Sequence, residues 1–159
     1  MSLFITFEGV EGSGKTTQIK RLKKYLTQKG IHCKVTREPG GSPIGEKVRK
    51  ILLNPEHHKM VPLSELLLYE AARVQHVNEV IEPFLKKGGV VLCDRFSDAT
   101  VAYQGCGRGI DLKLINRLNL KCKRGNGLAA EPGFEPGQMD PKSIVLPLHN
   151  SAIESDYSY

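Results

Sequence analysis

Eight residues near the start of the chain combine glycine, lysine and threonine in a spacing suited to binding phosphate. Residues 9–16 read Gly-Val-Glu-Gly-Ser-Gly-Lys-Thr and match the pattern G-x-x-x-x-G-K-[ST]. The glycines let successive backbone N–H groups converge on phosphate oxygens, because no Cβ blocks the approach. Lys15 would place a positive charge on the β- and γ-phosphates, and the Thr16 hydroxyl would supply an oxygen ligand for Mg²⁺. The predicted triphosphate-binding residues are Gly9, Val10, Glu11, Gly12, Ser13, Gly14, Lys15, Thr16 and Thr17.

A strand and a helix are predicted on either side of this segment. Residues 3–7 form an apolar run typical of a short buried strand. Ile19, Leu22 and Leu26 then recur at helical spacing on an otherwise basic stretch. The N-terminus of such a helix carries a partial positive charge and unpaired N–H groups, which favour an anion. The context therefore favours a nucleoside triphosphate site; the alternative is a glycine-rich turn that merely contains Lys-Thr.

Further apolar segments continue an alternation of strands and helices. Strands are predicted at residues 33–36 and 90–93, a short helix at residues 44–53 and a long helix at residues 63–87. The pattern predicts that one apolar face of the long helix is formed by Leu67, Ala71, Val74, Ile81 and Leu85, and that its last turn is kinked or weakened by Pro83. This order of elements predicts an α/β fold, a parallel sheet flanked by helices.

Charged residues follow each predicted strand, at Glu8, at Arg37 and at Asp94–Arg95. Ligands of parallel α/β sheets bind beyond the carboxyl ends of the strands, so these positions mark the expected site. Asp94 follows four apolar residues, a pattern typical of a carboxylate that reaches Mg²⁺, although it could instead pair with a nearby Lys or Arg. The Arg37 guanidinium could bind a phosphate through two parallel hydrogen bonds, or could form a surface salt bridge with Glu38.

The composition favours one globular domain that acts on small anionic molecules. The 159 residues carry a formal charge of +6, gathered on the predicted first helix and at residues 121–124. Aromatic residues are not interleaved with these charges, so we expect solvated basic faces and no nucleic-acid partner. No apolar run approaches the roughly 20 residues of a membrane span, and no secretion signal precedes the first strand. We therefore expect a cytoplasmic protein without a membrane partner.

The character of the sequence changes near residue 121. Residues 121–159 are rich in glycine and proline and show no helical period. Within them only Ile144-Val145-Leu146 could form a strand, and Pro141 and Pro147 stand on either side of it. We expect residues 1–120 to form the folded core and residues 121–159 to form a disordered tail.

Several motifs together resemble the bacterial thymidylate kinases, a family of phosphate-loop kinases that transfer phosphate from ATP to dTMP. Over about residues 1–120 the order and spacing of the motifs match. The matching stretches are Phe4-Ile5-Thr6-Phe7-Glu8-Gly9, Thr36-Arg37-Glu38-Pro39-Gly40-Gly41, Leu68-Tyr69-Glu70-Ala71-Ala72-Arg73, Asp94-Arg95-Phe96, Ala102-Tyr103-Gln104-Gly105 and Gly107-Arg108-Gly109.

The resemblance implies a role for each of these residues. Catalytic roles fall to Lys15, Arg95 and Glu8, and Mg²⁺ binding to Thr16 and Asp94. The implied dTMP-binding residues are Arg37, Tyr69, Arg73, Arg95, Thr100, Tyr103 and Gln104. Tyr69 and Arg73 stand four residues apart, so a ring and a planar donor on one helical face could meet a pyrimidine. From the pattern alone, core packing for Tyr69 and a surface charge for Arg73 is the other interpretation.

The resemblance also implies ATP, Mg²⁺ and dTMP as ligands and a homodimer as a possible assembly. Glu11 within the loop implies the subtype whose transition-state arginine comes from a mobile lid later in the chain. No lid and no fourth or fifth strand can be recognised after residue 120, so we expect a sheet truncated after the third strand, with the first strand as an exposed edge. The predicted function is a dTMP kinase with impaired turnover. The alternatives are an inactive nucleotide-binding fragment and a phosphate-loop kinase for another small acceptor.

Overall fold

The computed structural model describes residues 2–123 and 143–147. The strands are β1 (Leu3–Glu8), β2 (Cys33–Arg37), β3 (Val90–Asp94) and β4 (Ser143–Pro147). The α-helices are α1 (Lys15–Gln28), α2 (Pro43–Leu52), α3 (Pro62–His76), α4 (Glu82–Lys86), α5 (Ser97–Thr100) and α6 (Leu112–Lys123). A 3₁₀ turn spans Pro55–His57, and two π-helical segments span Val77–Ile81 and Val101–Gly107.

The four strands form one parallel sheet in the order β2-β3-β1-β4. Ile5 pairs with Leu92 on one side and with Ile144 on the other, so the first strand lies inside the sheet. The predicted class, a parallel sheet flanked by helices, is confirmed. The expectation that β1 would be an exposed edge is wrong, because the apolar run within the tail pairs with it as β4. The rest of the predicted tail beyond residue 123 lies outside the described residues.

Side chains of β1 alternate between two apolar clusters, one on each face of the sheet. On one face Ile5 and Phe7 pack with Ile19 of α1, and Leu22 and Leu26 lie against this cluster. The predicted apolar stripe of α1 is therefore confirmed. The cluster on the opposite face contains Phe4, Val77, Ile81, Val91, Cys93 and Phe96. Helices thus cover both faces, which explains why β3 is apolar along four consecutive residues.

The long helical segment predicted over residues 63–87 is found between Pro62 and Lys86, but it is not a uniform α-helix. Its middle, Val77–Ile81, is π-helical. Pro83 lacks the N–H that would bond to the carbonyl of Glu79, and a widened turn before a proline is a common way to absorb this loss. The irregularity therefore lies before Pro83, one turn earlier than the predicted kink.

The predicted apolar face of the long helix is confirmed at Ile81, which is buried in the core, and at Leu85, which packs against that core. It is wrong in α3, because Leu67 and Val74 are 49% and 40% exposed. The buried face instead carries Leu66, Glu70, Ala72, Arg73, His76 and Val77. Three of these residues are polar, so hydrophobic periodicity could not identify the side that faces the core. Among the described residues, no helix combines the length and apolar character needed to cross a membrane.

Candidate functional site

The phosphate-binding pattern forms a turn between β1 and α1, as its flanking sequence predicts. Gly12 and Gly14 have positive φ angles of 80° and 87°, a conformation that glycine adopts without strain. The helix begins at Lys15, so the free N–H groups of its first turn lie at the end of the loop. Lys15 Nζ donates to the carbonyl oxygens of Gly9 at 3.0 Å and Val10 at 2.7 Å. The lysine is thereby held within the loop that it would serve.

One cavity of about 710 Å³ brings most of the predicted site residues together. This volume falls within the range of about 300–1,000 Å³ that is common for small-molecule sites. The predicted residues in its lining are Glu11, Gly12, Ser13, Gly14, Lys15, Thr16, Thr17, Arg37, Tyr69, Arg73, Asp94, Arg95, Thr100, Tyr103 and Gln104. Glu8, Gly9 and Val10 were also predicted, and they are not part of the lining.

Arg37 lines the cavity from the end of β2. Its salt-bridge partner is Glu46 and not Glu38, the partner considered from the sequence. Its Nη2 donates to both carboxylate oxygens of Glu46, at 3.1 and 3.0 Å. Glu46 also accepts from the backbone N–H of Gly41 at 2.9 Å. This backbone hydrogen bond and then the nearby Arg37 charge lower the pKa of Glu46. The Arg37 side chain remains 52% exposed, so it can still reach an anion.

Arg49 of α2 also lines the cavity and was missed by the sequence reasoning. Its Nη1 donates to the carbonyl oxygen of Pro39 at 2.8 Å, which holds the guanidinium beside the turn that follows Arg37. The sequence offers only a weak signal, because α2 carries Lys47 and Lys50 as well and its spacing does not distinguish one cation. Arg37 and Arg49 together give this side of the cavity two guanidinium groups.

Arg73 is buried, with 2% of its surface exposed, and all five of its N–H donors have protein acceptors. Nε donates to Glu38 at 2.7 Å, and Nη1 donates to Glu70 at 2.6 Å and to Asn119 at 2.7 Å. Nη2 donates to the carbonyl oxygen of Phe96 at 3.2 Å and to Thr100 Oγ1 at 2.7 Å.

Burial opposes the charge of Arg73, but the carboxylates of Glu38 and Glu70 outweigh it and raise the pKa of the guanidinium. His76 extends the network, since its Nδ1 lies 3.1 Å from Glu38 Oε1 and its Nε2 lies 2.6 Å from Thr36 Oγ1. The interpretation of Arg73 as a surface charge is therefore wrong. The guanidinium is a fixed part of the cavity wall.

Two carboxylates at the strand ends have unusual surroundings. Glu8 Oε1 accepts the backbone N–H of Phe96 at 2.7 Å, yet burial raises the pKa of Glu8 to about 7. Asp94 Oδ1 is buried and has no hydrogen-bond partner in the described part of the chain. No salt bridge of Asp94 occurs there either, so the predicted alternative of pairing with Lys or Arg is not found. Asp94 and Thr16 line the same cavity, and carboxylate and hydroxyl oxygens suit an oxygen-binding cation such as Mg²⁺.

Arg95 has a strained backbone, with a φ of 68° that residues other than glycine seldom adopt. Its backbone N–H donates to the carbonyl oxygen of Phe7 at 3.0 Å, which ties it to the end of β1. Its guanidinium carbon lies 5.1 Å from the centre of the Tyr103 ring, close enough for a cation–π contact. The strained backbone, its hydrogen bond and the ring contact together hold the positive charge of Arg95 at one place in the cavity.

The π-helical segment Val101–Gly107 carries Tyr103 and Gln104 into the same wall. Tyr103 is 49% exposed, whereas Gln104 is 2% exposed. Tyr69 of α3 lines the cavity as well, and burial followed by the charge of Glu65 raises the pKa of its hydroxyl. An aromatic ring, an amide and a hydroxyl thus surround one part of the cavity, with the phosphate-binding loop at another.

Comparison with known proteins gives a consistent result. The family described as thymidylate kinase matches residues 7–124. The curated thymidylate kinase of Geotalea daltonii is 60% identical over 119 residues, which covers 75% of this chain and 56% of that protein. The thymidylate kinase of Geobacter sulfurreducens gives the same values.

A crystal structure of thymidylate kinase from Ehrlichia chaffeensis superposes with a TM-score of 0.70 at 48% identity, covering 74% of this chain and 63% of that one. The chain spans about half the length of the curated relatives it matches. It belongs to the thymidylate kinase family.

Proposed function

We propose that this chain is a nucleotide kinase that transfers the γ-phosphate of ATP to dTMP, giving ADP and dTDP, with Mg²⁺. The observation that carries the proposal is one cavity that joins a phosphate-binding loop to a wall of aromatic and hydrogen-bonding residues. Membership of the thymidylate kinase family supports both substrates. A cytoplasmic location fits substrates of this kind.

ATP would bind at the loop end. Backbone N–H groups of the loop and of the first turn of α1 would bind the phosphate oxygens. Lys15 now bonds to loop carbonyls and would turn its ammonium toward the β- and γ-phosphates. Bound Mg²⁺ would neutralise negative charge on the phosphates, and Thr16 and Asp94, which line the same cavity, would hold it.

The acceptor would bind opposite the loop. Arg37 and Arg49 would hold the dTMP phosphate, because both guanidinium groups line the cavity and each keeps only part of its donors occupied. Tyr69 would pack against the pyrimidine, and Thr100, Tyr103 and Gln104 would surround the nucleoside. Arg73 would shape this wall, since its donors are already shared among protein acceptors.

In the transfer itself, an oxygen of the acceptor phosphate would attack the γ-phosphorus while the bond to the β,γ-bridging oxygen breaks. The electron pair of that bond leaves with ADP. Lys15 and Arg95 would stabilise the negative charge that develops on the transferred group. The fixed backbone and ring contact of Arg95 would reduce the reorganisation needed at that moment.

A second candidate is a nucleotide-binding chain with little turnover. The family match ends at residue 124, and the resemblance of the loop with Glu11 implies a transition-state arginine from a lid later in the chain. Loss of such an arginine typically lowers phosphoryl transfer by about 10³–10⁵-fold. Under this second candidate, these 159 residues would bind nucleotides more readily than they turn them over.

A coupled assay of ADP release, run beside thermal unfolding, tests both candidates. The kinase proposal predicts that ADP appears only when ATP, Mg²⁺ and dTMP are present together, and that shikimate or a nucleoside does not replace dTMP. The second candidate predicts stabilisation by ATP without ADP; ligand at about 100 times its dissociation constant adds about 2.7 kcal/mol to stability. A chain that neither nucleotide stabilises would contradict both.

We also propose that the chain forms a homodimer. Leu63, Leu67 and Val74 lie on one side of α3 and are 40–49% exposed, which is unusual for apolar residues at helical spacing. A second copy of the chain would cover them. Sedimentation of the wild type and of Leu67→Glu tests this: the wild type should sediment as a dimer and the variant as a monomer.

A further inference from the structure

Glu65 and Gln104 form a hydrogen-bonded pair that joins the wall of the cavity to a residue outside its lining. Gln104 Nε2 donates to Glu65 Oε1 at 2.8 Å. Gln104 lines the cavity, whereas Glu65, near the start of α3, does not. Glu65 is therefore placed to act on a bound nucleotide through Gln104, which it holds, and not through direct contact.

Arg108 forms a salt bridge with Glu65. Its Nη2 donates to Glu65 Oε2 at 2.8 Å, and its Nε lies 3.4 Å from Glu65 Oε1. Both oxygens of the carboxylate accept hydrogen bonds from donors of these neighbours, and a carboxylate offers no donor of its own. The atom of Gln104 that faces Glu65 must then be the amide nitrogen, which removes the usual ambiguity between the two ends of a glutamine amide.

The other end of the amide is consequently an acceptor. Gln104 Oε1 makes no hydrogen bond within residues 2–123 or 143–147, and it is not one of the fully buried unpartnered atoms found there. Because Gln104 lines the cavity, its Oε1 can accept a hydrogen bond from a ligand bound there. An oxygen in this position pairs with an N–H and is repelled by a lone pair.

We propose that Glu65 is a positioning residue that sets the base specificity of the cavity by fixing the direction of the Gln104 amide. The inference rests on the proposed function, because it requires a pyrimidine nucleotide in this cavity. Thymine and uracil carry an N3–H and would donate to Gln104 Oε1. Cytosine carries a lone pair at N3, which the oxygen of Gln104 would repel. The Glu65 carboxylate would thereby select bases with an N3–H over cytosine.

Replacing Glu65 by glutamine reverses the direction of the amide. Arg108 has only donors, so it would take the oxygen of the new side chain. The new amide nitrogen would then face Gln104, which would have to turn its oxygen toward it and its nitrogen toward the cavity. Glu65→Gln replaces only one oxygen of the carboxylate by an amide nitrogen. It should nevertheless replace the Gln104 acceptor that faces the base with a donor.

The test measures dissociation constants of the full chain for dTMP, dUMP and dCMP by titration calorimetry. dUMP and dCMP both lack the 5-methyl group, so their ratio reports the hydrogen-bond pattern alone. Wild type should bind dUMP about tenfold or more tightly than dCMP. Glu65→Gln should reduce this ratio at least threefold. Glu79→Gln is the matched control, because Glu79 pairs with the amide of Gln75 on the same helical segment but is exposed and outside the cavity.

The outcomes separate the inference from the function on which it rests. Failure of wild type to bind dTMP overturns both. Binding of dTMP without a preference for dUMP over dCMP, or a Glu65→Gln ratio within threefold of wild type, overturns the positioning role alone. If Glu65→Gln does not fold, Glu65→Ala serves instead, because it removes the carboxylate that fixes the Gln104 amide and leaves that amide free to turn. The same threefold fall in the ratio is then required.

Discussion

Arg73 Nε and Glu38 Oε2 lie 2.7 Å apart, and both side chains are almost completely buried. Thirty-five residues separate them in the chain. This ion pair joins the segment that follows β2 to the last turn of α3, and Thr100 Oγ1 brings α5 into the same network. A network of polar contacts centred on Arg73 therefore holds the cavity wall together, joining α3, α5 and the segment after β2.

Glu38→Gln should lower the free energy of unfolding by about 3 kcal/mol, because removal of one partner leaves a buried charge poorly compensated. Urea unfolding followed by circular dichroism measures the change. Arg37→Gln is the control, since it breaks the exposed pair with Glu46 and should cost at most about 1 kcal/mol. If the free energy of unfolding fell equally in the two variants, the buried pair would contribute no more to stability than the exposed one.

Gly41→Ala should destabilise the chain far more than Gly30→Ala. Both glycines have positive φ angles, 79° and 70°, so each alanine incurs a backbone cost of about 1–2 kcal/mol. A Cβ at Gly41 would also lie 2.3 Å from His76 Nε2 and 2.7 Å from Thr36 Oγ1, whereas a Cβ at Gly30 meets nothing within 4 Å. Thermal unfolding of the two variants should differ by several degrees; similar melting temperatures would contradict the packing at His76.

Stability should fall as pH rises from about 4.5 to about 7, through the contribution of Glu8. Burial raises the pKa of Glu8 in the folded chain to about 7, from 4.5. Between these values the folded state binds more protons than the unfolded state, so the free energy of unfolding decreases with pH and stays lower above 7. Glu8→Gln should lose this dependence. A wild-type profile that matches the variant between pH 5 and pH 8 would count against the raised pKa.

The loop, the strand ends and the order of elements could be predicted because they depend on local sequence. Eight consecutive residues define the loop, and apolar runs define β1 and β3. The buried face of α3 could not be predicted, because Glu70, Arg73 and His76 are buried through partners elsewhere in the chain. Their burial depends on tertiary contacts that hydrophobic periodicity does not encode.

The same limit applies to two arginines of the cavity. Arg37 was placed correctly at a strand end, but its partner proved to be Glu46 of α2 and not its neighbour Glu38. Arg49 was missed because its role at the cavity depends on the carbonyl of Pro39, which only the folded turn brings near. The assignment of roles to the residues of the cavity stays a prediction.

The affinity of Lys15→Met for ATP–Mg²⁺ tests the central claim most directly. Lys20→Met is the control, because Lys20 is an exposed cation of the same helix. Titration calorimetry should show affinity reduced about 10- to 100-fold for Lys15→Met, as expected for loss of a hydrogen bond between charged groups, and little changed for Lys20→Met. Equal affinity of Lys15→Met and wild type would contradict a triphosphate site at this loop.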